Sequence, residues 1–185
     1  MTSQELKRKA MDGIINFLLK NEIEIYASEV KDLKAKGPFF RKIVELKRYN
    51  TAELSKITAD FVILVKREGI PCLILGTVAR NLDRMGELKK LLTPISDSGG
   101  FSKPVAKGRY GAEMIGADLH IVICFSDIPP TIHSAHEKML LQSILTYGQG
   151  KETIVLEWDD SGGIKQGLHN LDHILLAISA AENRP

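Results

Sequence analysis

Two apolar runs, Ile70-Pro71-Cys72-Leu73-Ile74-Leu75-Gly76 and Ala117-Asp118-Leu119-His120-Ile121-Val122-Ile123-Cys124-Phe125, decide how this chain is read. Each is short, carries β-branched residues and is bounded by turn-forming residues. That is the pattern of a strand buried on both faces rather than of a helix. A third run over residues 153–158 has the same character. Helical spacing follows each: Val78, Leu82, Met85, Leu88 and Leu91 after the first, Ile132, Ala135, Met139, Leu140 and Ile144 after the second, and Ile164, Leu168, Leu171, Leu175 and Ile178 after the third. Strand and helix in alternation imply parallel strands joined by right-handed crossovers. The expected fold class is therefore α/β, a three-layer Rossmann-like core with a short, mostly parallel sheet and extra N-terminal helices.

Working outward, residues 4–20 predict a helix with Leu6, Ala10, Met11, Ile14, Phe17 and Leu18 on its apolar face. Residues 22–26 alternate like a strand. Ser28 is placed to cap a short helix ending at Gly37, and Pro38 to open another through Phe39, Phe40, Ile43, Val44 and Leu46. Asn50 and Glu53 resemble a capping box for a longer helix through Leu54, Ile57, Phe61, Leu64 and Val65. A strand over residues 61–65 is the alternative; the helix is preferred because Gly69 then falls at its end. The whole reads as a single α/β domain, 1–185, with a helical N-terminal extension over 1–50 and the Rossmann-like core over 51–185.

Composition excludes several classes. The 185 residues include only two cysteines, Cys72 and Cys124, both inside expected strands, where buried free thiols are common. No apolar run approaches the length of a membrane span and no signal peptide is evident, so the expectation is a cytoplasmic protein with no membrane partner. Charge is uneven: residues 1–110 hold 21 Lys and Arg against 13 Asp and Glu, or +8, and residues 111–185 hold 4 against 10, or −6. Such asymmetry points to polyanion binding or to head-to-tail self-association as a homo-oligomer.

In open α/β sheets the ligand crevice lies beyond the carboxyl ends of the strands. The expected ligand-binding residues are those at the three strand ends: Gly76, Thr77 and Arg80; Ser126 and Asp127; and Asp159, Asp160, Ser161 and Gly162. Helices opening after Gly76 and Gly162 would present amide groups to an anion. The natural ligand is then a phosphorylated small molecule or nucleotide, with magnesium the candidate cofactor because these aspartates offer it oxygen ligands. Asp and Ser in these positions also serve as ordinary helix caps.

The segment 94–116 is expected to be a long loop rich in glycine and basic residues, a basic lid over that rim. Its alternative role is nucleic-acid binding. Arg80, Arg84, Lys89, Lys90, Lys103, Lys107 and Arg109 would neutralise phosphates while Phe101 and Tyr110 stack on the bases of single-stranded RNA. The histidine pairs His133 with His136 and His169 with His173 share the spacing of metal ligands. They read more simply as surface or core histidines, so no metal site is assigned to protein ligands alone. No Walker sequence, dinucleotide fingerprint or Gly-x-Ser-x-Gly elbow is present.

Overall fold

The computed structural model describes residues 2–30, 37–80, 90–93, 105–125, 146–147, 151–159, 163–167 and 169–183. Helix α1, Ser3–Lys20, opens on a complete capping box: the Thr2 hydroxyl accepts from the Glu5 amide and the Glu5 carboxylate accepts from the Thr2 amide. Strand β1, Glu24–Glu29, follows, then helix α2, Pro38–Leu46, with proline in its first turn. A 3-10 helix, Thr51–Lys56, leads into β2, Phe61–Arg67, and β3, Ile70–Arg80. Helix α3, Arg109–Ile115, precedes β4, Leu119–Phe125. The chain ends in β5, Thr146–Tyr147, β6, Lys151–Asp159, β7, Gly163–Gln166, and helix α4, Asp172–Glu182.

These strands form one sheet in the order β1-β2-β3-β4-β6-β5, with β7 beside the end of β6. The three strands read from the sequence, β3, β4 and β6, are parallel to one another. Around them the pairing is antiparallel: β1 with β2, β2 with β3, and both β5 and β7 with β6. The fold is α/β, but its sheet is mixed and not the mostly parallel one expected.

The main cause lies between residues 57 and 70. Residues 61–65, expected in a helix, form β2, and Gly69 ends no helix. Glu68 and Gly69 both take positive φ, +51° and +81°, between the paired residues Arg67 and Ile70. This is the mirror-image two-residue turn whose twist suits a β-hairpin. A hairpin reverses the chain, so β2 and β3 run antiparallel where a helix would have fed a parallel strand.

Other expectations are corrected in the same way. Ser28 caps no helix but sits in β1, so the segment before residue 50 is not purely helical. The first strand does not stop at Gly76 but runs on to Arg80. Residues 109–115 of the expected loop form α3, closed by Gly116 in the left-handed conformation. Thr146 and Tyr147, expected at the end of a helix, pair with β6, and Ile164 belongs to β7 rather than to the last helix.

Both faces of the sheet are covered. Alternate residues Phe61, Ile63 and Val65 of β2, Ile74 of β3, Ile121 and Ile123 of β4 and Ile154 and Leu156 of β6 pack under α1 and α4. The alternate set Val62, Leu64, Leu73 and Leu75 packs under α2, the 3-10 helix and α3, through Phe39, Ile43, Leu54, Ile57, Ala112 and Ile115. Cys72 and Cys124 are buried and not joined in a disulfide; burial, then the Glu157 charge, pushes the Cys124 thiol well above its usual range. Among the described residues, no helix is long and apolar enough to cross a membrane.

Candidate functional site

Because β2 begins at Phe61 opposite Gly76, the last residues of β3 run on past it. Asp60 lies at this step. Its amide donates to the Gly76 carbonyl at 3.0 Å, and its carboxylate accepts the Val78 amide at 2.7 Å, so one residue satisfies the backbone edge that β2 leaves behind. The same carboxylate lies 3.3 Å from the Lys7 ammonium of α1 and 3.9 Å from that of Lys107.

A cavity of about 460 Å³ opens here, lined by Ser3, Leu6 and Lys7 of α1, Asp60, Val78 and Ala79 of β3, and Lys90, Leu91, Val105 and Lys107. Among the described residues, the lining holds the ammonium groups of Lys7, Lys90 and Lys107 and the carboxylate of Asp60, a net charge of +2. The cavity is thus an electropositive pocket with aliphatic walls at the carboxyl end of a central strand.

Behind Lys107 runs a buried polar line across the three parallel strands. The Thr77 hydroxyl donates to the Lys107 carbonyl at 2.5 Å and lies 2.9 Å from His120 Nε2. Its single proton already goes to that carbonyl, so the hydroxyl accepts from Nε2, which must carry the ring proton. His120 Nδ1 is then an acceptor for the Thr153 hydroxyl at 3.2 Å. All three side chains are fully buried. Burial, with the nearby Arg109 guanidinium, pulls the His120 pKa down to about 3, so the ring is neutral at physiological pH. The line anchors the backbone that carries Lys107 to the sheet.

The strand-end residues distribute unevenly. Thr77 lies beneath the pocket, and Gly76 is mid-strand, where a Cβ would stand 2.1 Å from the Phe61 ring. The absence of a side chain at Gly76 leaves room for that ring. Arg80 is the last residue of β3. Asp159 reaches the rim, where the Lys165 ammonium of β7 lies 3.8 Å from its carboxylate. Ser126, Asp127, Asp160, Ser161 and Gly162 lie outside the described residues, as do Arg84, Lys89, Phe101, Lys103, His133 and His136. Of the basic track, Lys90 and Lys107 line the pocket, whereas Arg109 is buried and donates from Nε to Glu113 at 3.1 Å. Gly111 lets α3 approach the Ala106 carbonyl, which any Cβ there would strike.

The histidines near the C-terminus do not share a helix. His169 precedes α4, and its Nδ1 accepts the Val155 amide at 3.0 Å; burial, then His173, lowers its pKa to about 4. Among the described residues, no group of three or more His, Cys, Asp or Glu is placed to hold a metal ion.

Sequence reasoning passed over Lys7 and Asp60. The signal for Asp60 was a lone carboxylate directly before the apolar run 61–65, informative only once that run is read as a strand. The chain matches no protein-family model, and comparison with curated proteins and with solved structures finds no match.

Proposed function

We propose that this protein binds a phosphate-bearing small ligand in the pocket beside the end of β3, with Lys7, Lys90 and Lys107 as the anion-binding groups. The carrying observation is a cavity of about 460 Å³ whose described lining holds Lys7, Lys90 and Lys107, two of them, Lys7 and Lys107, drawn to the Asp60 carboxylate. A net lining charge of +2 balances a phosphate monoester, which carries about −1.5 to −2 at neutral pH. The position follows the rule that ligands of Rossmann-like and other open α/β sheets sit outside the carboxyl ends of the parallel strands, an argument from fold alone. In the absence of ligand, Asp60 holds Lys7 and Lys107 in place; an incoming phosphate shares them with it.

Titration calorimetry with inorganic phosphate and pyrophosphate at low salt tests this reading. Lys107→Gln is expected to weaken binding roughly tenfold, about 1.4 kcal/mol, the scale of one hydrogen bond to a charged group. Asp60→Asn keeps an acceptor for the Val78 amide while removing the competing charge, so it is expected to tighten binding. Absence of binding to the wild-type protein, or identical affinities in all three proteins, would sink the proposal.

A further inference from the structure

The size and walls of the pocket bear on what the phosphate is attached to. A phosphate group occupies only a small part of a cavity of about 460 Å³. Among the described lining residues, five are apolar: Leu6, Val78, Ala79, Leu91 and Val105. Leu91 and Leu6 are already buried against the fold, so this wall is held in shape before any ligand arrives. The charges of Lys7 and Lys107, by contrast, are gathered on Asp60.

We infer that the ligand of this pocket is a phosphate monoester with a short saturated body, the phosphate on the lysines and the body against the aliphatic wall. This rests on the anion-binding reading above and deepens it. A sugar or nucleobase pressed on that wall would give up hydrogen bonds to water without replacements, whereas an alkyl body is favoured there for the reason that any apolar surface is. Full burial of each methylene multiplies affinity roughly fourfold. A wall covering one side of the chain gives about half that free energy, or roughly twofold per methylene.

The experiment is a calorimetric series on the full chain with inorganic phosphate, ethyl phosphate, butyl phosphate, hexyl phosphate and adenosine monophosphate. Affinity is expected to climb along the alkyl series, hexyl phosphate binding at least about tenfold tighter than inorganic phosphate, with the nucleotide no tighter than inorganic phosphate. In Val105→Asn the ratio of hexyl phosphate to inorganic phosphate affinity is expected to fall severalfold. A flat alkyl series over measurable phosphate binding overturns this inference and leaves the anion site standing. So does a nucleotide that outbinds hexyl phosphate. No binding by any probe removes the anion site and this inference together. Co-sedimentation with phosphatidylcholine vesicles, with and without phosphatidic acid, identifies the source. Capture only with phosphatidic acid assigns the monoester to a lipid, and hexyl phosphate binding without capture assigns it to a soluble ester.

Discussion

His120, the second residue of β4, has no exposed surface and a hydrogen bond at each ring nitrogen. A ring held neutral in this way makes the fold sensitive to acid. Its folded pKa of about 3 lies below the ordinary 6.5, so the unfolded chain takes up the proton first. The stability it confers is complete above pH 6.5 and is lost as the pH falls toward 3. Between pH 7 and 5 the loss amounts to about 2 kcal/mol, which chemical denaturation at the two pH values measures. His169, lowered to about 4, adds a loss of the same sign over the same interval. His120→Gln is expected to be less stable at pH 7 and to show a smaller difference between the two pH values, His169 supplying part of what remains; an undiminished difference would assign the acid sensitivity to other groups. Gly76 gives a second check at this scale. Gly76→Ala drives a methyl group into the Phe61 ring and is expected to cost about 1–3 kcal/mol, partly recovered by adding Phe61→Leu.

The β2–β3 hairpin is the element that determines the sheet. Glu68 takes φ +51°, a conformation that disfavours most side chains but suits asparagine, and Gly69 at +81° supplies the other half of the turn. Glu68→Asn is therefore expected to raise stability by about 0.5–1 kcal/mol, and Gly69→Val to lower it by more, as read by denaturation midpoints. The same turn explains what could and could not be read from sequence. The runs that became β3, β4 and β6 were legible because a strand buried on both faces is apolar throughout, whatever its neighbours. The spacing of α1 and the proline of α2 were legible because helix starts and stripes are local properties. Residues 54–65 were not, since Leu54, Ile57, Phe61, Leu64 and Val65 satisfy helical spacing while 61–65 also suits a strand, and Gly69 can end either. Long-range pairing of Val62 with Leu75 and of Ile63 with Ser28 decides the matter. The candidate site suffered similarly: β3 as a strand with polar residues near its end was legible, but Lys7 and Asp60 meet only because α1 crosses the sheet where β2 starts.

At the scale of the molecule, the two hydrophobic cores share the sheet and are also tied around its end by one buried carboxylate. Asp118, just before β4, accepts from the Tyr49 hydroxyl at 2.7 Å and the Leu73 amide at 2.9 Å, and lies 3.5 Å from Arg48. Arg48 also donates to the Ala181 carbonyl of α4 at 3.2 Å, so the segment after α2 on one face is linked to the helix on the other. Burial, then the Asp118 charge, holds the Tyr49 phenol far above its ordinary range, consistent with a hydroxyl that donates permanently. With sheet and link uniting the two cores, neither is expected to be lost alone. Asp118→Ala removes an acceptor shared by three donors and is expected to destabilise by about 3–5 kcal/mol, the scale for breaking a buried charged pair. The readout is denaturant unfolding followed by two probes. Trp158, the single tryptophan, packs against the α1 and α4 core, and far-UV circular dichroism reports the whole chain. In a single cooperative unit the two transitions coincide in the wild-type protein and shift together in the variant. A Trp158 transition that stays in place while the dichroism signal falls earlier would mean that the α2 and α3 face unfolds independently, and the chain would then comprise two units sharing strands.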